Sequence, residues 1–283
     1  MIAQDLKTGS GGIAKVDFIA GMAKGMAVLE SFDTERQRLN ATLAAQRAGL
    51  TRAAARRHLL TLTHLGYLET DGSYFWLSAK VLRFAGSYLA SARLPRAVQP
   101  TLDRLAAQTR ESFSVAVLEG DSVVVVARSV SAVGYGQGDR DGSSLGAPLF
   151  APTRRLAYGL HQGTRLPAHA SSTGRVLLAA LAPAELSAWL DGHGLPRLTP
   201  HTLTDAQALR ERLDQVRRDD HSQVSEEHEL GVHALAVPLR NMQGRTVAAL
   251  NVVLSQPRLL IGSAQRDLLR MLHDAALELR RLL

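Results

Sequence analysis

The order of apolar and polar positions predicts a small helical module followed by a larger mixed domain. Met22, Met26 and Leu29 recur at i, i+4 and i+7, which predicts a helix over about Ala20–Phe32 with these three on its buried face. A polar break, Asp33–Arg38, precedes two short helical segments. The first runs from Asn40 or Thr42, either able to cap it, to Ala48. Gly49 supplies a turn and Thr51 caps the second segment, whose Ala55, Leu59 and Leu62 make a buried face up to about Leu65. Strand-forming runs at Tyr67–Thr70 and Tyr74–Leu77 flank the loop Asp71-Gly72-Ser73. Helix, helix, turn, helix, hairpin is the element order of a winged helix-turn-helix.

A helix is predicted next over Ala79–Ala92, with Leu82, Phe84, Ala85 and Leu89 partly buried, broken at Arg93-Leu94-Pro95. Another runs over Ala97–Arg110 with Val98, Leu102 and Leu105 on one face. Ser114–Leu118 and Val123–Ala127 read as a hairpin of buried character, and His233–Val237 and Thr246–Val253 as a second strand pair. Between the two pairs, helices are expected at Thr173–Leu181, from Pro183 onward, and after the capping-box pattern Thr204-Asp205-Ala206-Gln207. Ser263 is expected to cap a last helix carrying Leu268, Leu272, Ala275 and Leu279. Ser131–Pro152 is glycine-rich and has no period, as in a mobile loop or an insertion. The reading is an α+β chain: an arm over 1–17, a winged helix-turn-helix over 18–79, a linker helix over 80–95 and a second domain over 96–283.

Composition sharpens this. A chain of 283 residues, 46% hydrophobic and 21% charged, suits two ordered domains. It has no cysteine, which excludes disulfides, thiolate metal sites and cysteine nucleophiles. The formal charge is +7, and residues 1–95 carry most of it, with 12 Lys+Arg against 7 Asp+Glu. No apolar run approaches bilayer length and no secretory leader pattern opens the chain, so a cytoplasmic protein without membrane contact is expected.

The charge excess points to candidate chemistry. In Thr51-Arg52-x-x-x-Arg56-Arg57 the pair Arg52 and Arg56 shares one helix face. Guanidinium groups there suit guanine edges or phosphates in a major groove, and Thr51 suits a phosphate at the helix N-terminus. The competing reading is an ordinary solvated cationic face. The candidate DNA contacts are Lys24, Asn40, Thr42, Thr51, Arg52, Arg56, Arg57 and Ser73. Catalytic and metal signatures fail on spacing. His228 and His233 stand at i and i+5, not the i, i+4 of a zinc helix, and the other histidines scatter, most of them expected at the surface. Gly134-x-Gly136-x-Gly138 lacks the dinucleotide spacing, and no nucleophile elbow or phosphate loop occurs. No cofactor, metal or catalytic set is expected.

The chain resembles IclR-type bacterial transcription regulators over nearly its whole length. The resemblance rests on Gly21-x-x-Lys24-Gly25-x-Ala27-Val28-Leu29-x-x-Phe32 and Arg47-Ala48-Gly49-Leu50-x-x-Ala53-x-x-Arg56-Arg57-x-Leu59-x-x-Leu62-x-x-Leu65-Gly66-Tyr67. It continues in Gly163–Ala168, Ser171-x-x-Gly174-Arg175-Val176-Leu177, Glu227-x-Glu229-Leu230-Gly231 and Ala248–Val252. Phe18–Gly21 and Arg56–Leu62 are similar to the branch that controls aromatic-acid catabolism. The resemblance implies a helical linker, a GAF-like effector domain, assembly as a homodimer or homotetramer, double-stranded DNA as partner and a small organic acid as effector. By position it implies an effector pocket of Leu166, Ser172, Thr173, Ser225, Leu235, Asn251 and Val253. Three departures stand out: Ala41-Thr42-Leu43-Ala44 opens the second helix, Ser225 replaces a frequent acidic residue, and Ser131–Pro152 looks inserted.

Overall fold

The computed structural model describes residues 14, 16–33, 36–129, 161–254 and 261–283. They fall into two compact units, Met1–Ser91 and Ala92–Leu283. The expected arm over 1–17 lies almost wholly, and the segment Ser131–Pro152 entirely, outside the described residues.

In the first unit three helices, α1 (Ala20–Leu29), α2 (Ala41–Ala48) and α3 (Arg52–His64), precede a hairpin of β1 (Leu68–Thr70) and β2 (Phe75–Leu77). Asn40 caps α2, its Oδ1 accepting from the Thr42 and Leu43 amides at 3.1 and 2.9 Å, so Thr42 lies inside the helix. Gly49 ends α2 at φ 62°, a left-handed conformation that favours a residue without Cβ. Thr51 Oγ1 then accepts from the Ala54 amide and opens α3. At the other end of α3 the Lys80 ammonium donates to the Leu65 carbonyl at 2.7 Å and lies over the Tyr67 ring. A cation is favourable at that negative helix end.

Val28, Leu39, Leu59, Leu62, Leu68 and Phe75 form the core of this unit. A bridge between Leu39 and Phe75 ties the α1–α2 connection to the hairpin. The hairpin tip is closed on itself. Asp71 Oδ1 accepts from the Ser73 and Tyr74 amides, Thr70 Oγ1 accepts from the Gly72 amide, and the Asp71 amide donates to the Tyr74 carbonyl. The Tyr74 and Ser73 amides, aided by Arg38, hold the Asp71 carboxyl below the usual carboxylate range.

Two expectations fail here. Helix α1 stops at Leu29, and Met22 and Met26 are 68% and 48% exposed, whereas Val28 is fully buried. The helix docks through its C-terminal turn, so the apolar stripe upstream faces outward. After a short 3-10 turn, α4 (Leu82–Ser91) likewise exposes Leu82, Phe84 and Ala85 and half-covers only Leu89.

The second unit opens with α5 (Arg93–Thr109), so Arg93-Leu94-Pro95 begins a helix instead of breaking one. Pro95 sits in the first turn, where its missing N–H has no helical partner to lose. The strands β3 (Ser112–Glu119), β4 (Ser122–Arg128), β5 (Arg165–Pro167), β6 (Ser222–Ser225), β7 (His233–Arg240) and β8 (Thr246–Leu254) form an antiparallel sheet in the order β5-β4-β3-β8-β7-β6. Helices α6 (Ser172–Ala179), α7 (Pro183–Gly192) and α8 (Ala206–Asp219) precede β6, and α9 (Gly262–Leu279) ends the unit.

The pleat divides the core. Phe113, Val115, Leu235, Val237, Leu250 and Val252 face α5 and α9. Ala116, Val123, Ala236 and Ala249 face the other way, against Val176, Trp189, Leu209 and Leu213 of α6–α8. Two caps differ from expectation. Asp205, not Thr204, caps α8, with Oδ1 2.7 Å from the Ala208 amide. Ser263 lies inside α9, which follows Ile261 and has no side-chain cap.

The buried side of α6 centres on Arg175, 1% exposed. Its Nη1 donates to Glu227 Oε1 at 2.7 Å, Nη2 to Glu227 Oε2 at 2.5 Å, and Nε to the His169 carbonyl at 2.9 Å. Glu227 Oε2 also accepts from the Leu203 amide. Burial lowers the Arg175 pKa from its ordinary value and the Glu227 carboxylate opposes that shift. One residue earlier, a Cβ on Gly174 would overlap the backbone of Ala168.

Two outcomes are expected. Gly174→Ala loses about 1–3 kcal/mol or more, because the obstruction is main chain and cannot swing aside; thermal unfolding followed by circular dichroism reads the drop. Glu227→Gln leaves the buried guanidinium uncompensated and loses about 3–5 kcal/mol. The double variant Arg175→Met/Glu227→Leu, with no unpaired charge, loses less than Glu227→Gln in the same denaturation series.

Candidate functional site

The first candidate surface is built on α2, the turn at Gly49 and α3. Burial of Ala55, Leu59 and Leu62 fixes the rotation of α3 and turns Arg52, Arg56 and Arg57 outward, all three exposed. None of them has a carboxylate partner among the described residues. The contrast is local. Arg47 is held by Asp33, and Arg38 donates to Asp71 at 2.6 Å while lying 4.5 Å over the Trp76 ring. Thr51 stands exposed at the N-terminus of α3, Thr42 exposed at that of α2, and Ser73 at the hairpin tip. Asn40 is half-buried with its oxygen spent on the cap. Lys24 is exposed on α1, a separate helix. Sequence reasoning missed Arg38, because its partner lies 33 residues away and no local spacing announces it.

The second candidate lies on the α6 face of the sheet. Ser171 Oγ accepts from the Gly174 amide and starts α6, so Ser172 and Thr173, each 2% exposed, form its first turn. Opposite them on the sheet, Asn251 of β8 is paired across to Ser114 of β3, whose hydroxyl it accepts. Val253 is paired with Ser112 on one side and Ala234 on the other. Ser112, Ser114 and Asn251 are buried. Hydroxyls, an amide and a helix N-terminus set among small aliphatic groups suit a small ligand with an anionic end.

Two expected members do not belong to this face. Leu235 is fully buried in the α5/α9 core beside its cross-strand partner Val252. Ser225 is paired with His233, two positions from Gln223 and its partner Leu235, and so shares their face. Adjacent strand residues point to opposite sides, so Val224 and Ala234 occupy the places assigned to Ser225 and Leu235. As part of the edge strand β6, Ser225 also lines a recess of about 420 Å³ with Arg212 and Gln215 of α8 and the Arg175–Glu227 pair. Leu166 packs into the Trp189 cluster, and β4 and β3 separate its strand from β8.

Histidine is the second correction. Three histidines, His64, His161 and His201, are exposed, whereas His169 is 2% exposed. His169 Nε2 lies 3.1 Å from the Pro196 carbonyl, and His228 has a buried Nδ1 without a partner. Burial lowers the pKa of both rings, and the nearby His169 lowers that of His228 further. Sequence reasoning missed both, since a histidine beside Glu227 or between two alanines carries no burial signal.

Comparison with known proteins joins the two surfaces. Residues 21–72 match the IclR helix-turn-helix domain, and residues 149–281 match the bacterial transcriptional regulator IclR C-terminal domain. A p-hydroxybenzoate hydroxylase transcriptional activator from Acinetobacter baylyi is 48% identical over 270 residues, covering 94% of this chain and 92% of its own. The inducer-binding domain of an Acinetobacter PobR double mutant, solved with 3-hydroxybenzoic acid, is 42% identical, with a TM-score of 0.53 over 67% of this chain and 98% of its own. An IclR homolog from Microbacterium hydrocarbonoxydans, solved with 4-hydroxybenzoate, is 27% identical, with a TM-score of 0.65 over 92% of this chain and 98% of its own. Among the described residues no helix is long and apolar enough to cross a membrane. With both family domains matched and a relative 48% identical over nearly its whole length, the chain belongs to the IclR family of DNA-binding bacterial transcriptional regulators.

Proposed function

We propose that this regulator controls genes of aromatic-acid catabolism, reading its operator through Thr51, Arg52, Arg56 and Arg57 and responding to a hydroxybenzoate in the second unit. The observation that carries the DNA reading is the set of three exposed guanidiniums on α3 with no acidic partner among the described residues. A cationic helix face left unneutralised by its own fold is suited to phosphates and guanine edges. Thr42 and the Ser73 hydroxyl flank that face as phosphate contacts, and Lys24 adds charge from α1.

The relatives solved with 3-hydroxybenzoic acid and 4-hydroxybenzoate support an aromatic acid as effector. In this chain the acid lies against Ser172 and Thr173, with Ser114 and Asn251 beneath it and Val224, Ala234 and Val253 beside its ring. Assembly as a homodimer or homotetramer is supported by the exposed apolar residues Phe18, Ile19, Met22 and Met26 around α1 and Leu82, Phe84 and Tyr88 on α4. A two-fold arrangement sets two copies of α3 roughly 34 Å apart, one turn of the duplex. The acid switches the protein by binding its alternative states unequally. Acting on DNA, the protein works in the cytoplasm, as a regulator and not as an enzyme.

The direct test is binding of the purified protein to the DNA upstream of its gene, followed by fluorescence anisotropy across a salt series. With 6–10 phosphates neutralised, affinity is expected to fall by on the order of 10³–10⁵ between 50 and 200 mM salt, and 4-hydroxybenzoate is expected to shift it. Flat salt dependence, or no response to hydroxybenzoates, overturns the corresponding half of the reading. Arg56→Ala is expected to lose about 1–3 kcal/mol of specific binding with unchanged circular dichroism; unchanged affinity removes Arg56 from the interface. Ser172→Phe is expected to fill the ligand space and abolish the response to the acid while operator binding persists.

A further inference from the structure

Among the described residues three buried side-chain atoms lack a hydrogen-bond partner: Ser222 Oγ, His233 Nδ1 and His228 Nδ1. Such atoms are costly and call for a cause. Ser222 lines the recess beside α8, and His233 is paired with Leu254 and Ser225 on the side where α9 packs. His228 stands elsewhere. It lies on the 226–232 loop, within electrostatic reach of His169, which stands two residues before the Ser171 cap of α6.

That loop is rigidly held. The Glu226 amide donates to the Val232 carbonyl at 2.7 Å and the Gly231 amide to Glu226 Oε1 at 2.9 Å. The Thr199 and Thr202 hydroxyls donate to the Glu226 and Glu227 carbonyls, each at 2.6 Å, and Glu227 is locked to Arg175. Val232 closes the loop against Ala234 and Val253, two residues of the candidate effector face. His228 is thus carried by a braced loop whose end packs on that face, with Nδ1 buried and unused, and no described hydrogen bond engages either ring nitrogen.

We propose that His228 receives the carboxylate of the aromatic acid through Nδ1–H and takes up a proton as the acid binds. This deepens the effector reading above and rests on it. The balance is simple: the carboxylate enters ionised, one proton comes from solvent to the imidazole, and a neutral ion pair is buried. The charged and titratable groups around the ring leave this role open. His169 is committed to the Pro196 carbonyl and is held neutral by burial. Arg175 of α6 is neutralised by Glu227. The Glu229 carboxyl is pushed up by burial toward its neutral form. Burial likewise holds the free His228 ring neutral, whereas an anion against it favours the imidazolium. The folded apo site thus has the lower pKa and the loaded site the higher one. Proton uptake is largest between those two values; over that interval affinity falls by up to tenfold per pH unit as the pH rises, and it levels off above the loaded value.

The test is calorimetric titration of the full chain with 4-hydroxybenzoate, and with 3-hydroxybenzoate in parallel, in two buffers of equal pH near 7 and different ionisation enthalpy. Wild type is expected to take up a substantial fraction of one proton per site. His228→Asn, whose amide keeps a donor near the Nδ1 position, is expected to bind with no uptake. His228→Gln, whose amide sits near Nε2, is expected to bind at least tenfold more weakly, also without uptake. His169→Gln is expected to keep the uptake. Operator binding without acid, unchanged in each variant, shows that the fold is intact. Equal proton uptake in wild type and both His228 variants, or its loss in His169→Gln alone, overturns the assignment of His228 and leaves the effector reading standing. Failure of wild type to bind either acid overturns the effector reading, and this inference with it.

Discussion

The second unit depends on one buried ion pair. Arg175 and Glu227 are 52 residues apart and meet where four pieces of chain converge: the turn at His169, α6, the segment around Leu203 and the 226–232 loop. A guanidinium at 1% exposure is tolerable because a carboxylate takes both of its terminal nitrogens and a carbonyl takes Nε. That requirement fixes the register of α6, and with it the depth of Ser172 and Thr173. It also orients the loop that carries His228. Pairs of this kind contribute less to net stability than a well-packed apolar core, and their use lies in admitting one arrangement. Here the arrangement admitted is the one that sets the first turn of α6 against the sheet.

Much of the fold was legible because periodicity reports regular, long elements well. The α2–α3 turn, the hairpins and the strand pair β7–β8 follow from spacing, caps and turn residues. β5 and β6 were not legible, since three or four residues such as Ser222-Gln223-Val224-Ser225 are too short and polar to alternate. Nor does an apolar stripe say what covers it. Met22 and Met26 repeat as a buried face would, yet α1 docks through Val28. For the candidate site, the structure brings Ser172, Thr173 and Asn251 toward one face of the sheet, whereas Leu235 falls on the other. In a strand, one residue is the difference between two faces. His169 and Arg38 depend on partners distant in sequence, and the His228 Nδ1 is enclosed by residues that spacing does not reveal.

In the first unit, charge placement separates two kinds of arginine. Those beside an aspartate, Arg38 and Arg47, brace the fold, whereas Arg52, Arg56 and Arg57 are left to the solvent side of α3. The N-terminal module holds few acidic residues, and two of them are spent on this internal bracing. The field that remains outside α3 is therefore positive without any single cluster of lysines.

The hairpin tip shows the same economy from the opposite side. The amides of residues 71–74 are all engaged within the turn, and the Asp71 charge is answered by Arg38. Such a tip offers a polyanion neither a strong pull nor a strong push. What it retains is a fixed width, braced by an arginine stacked on tryptophan at its root. A turn so closed keeps its shape whatever approaches it, so the hairpin presents a contour more than a charge.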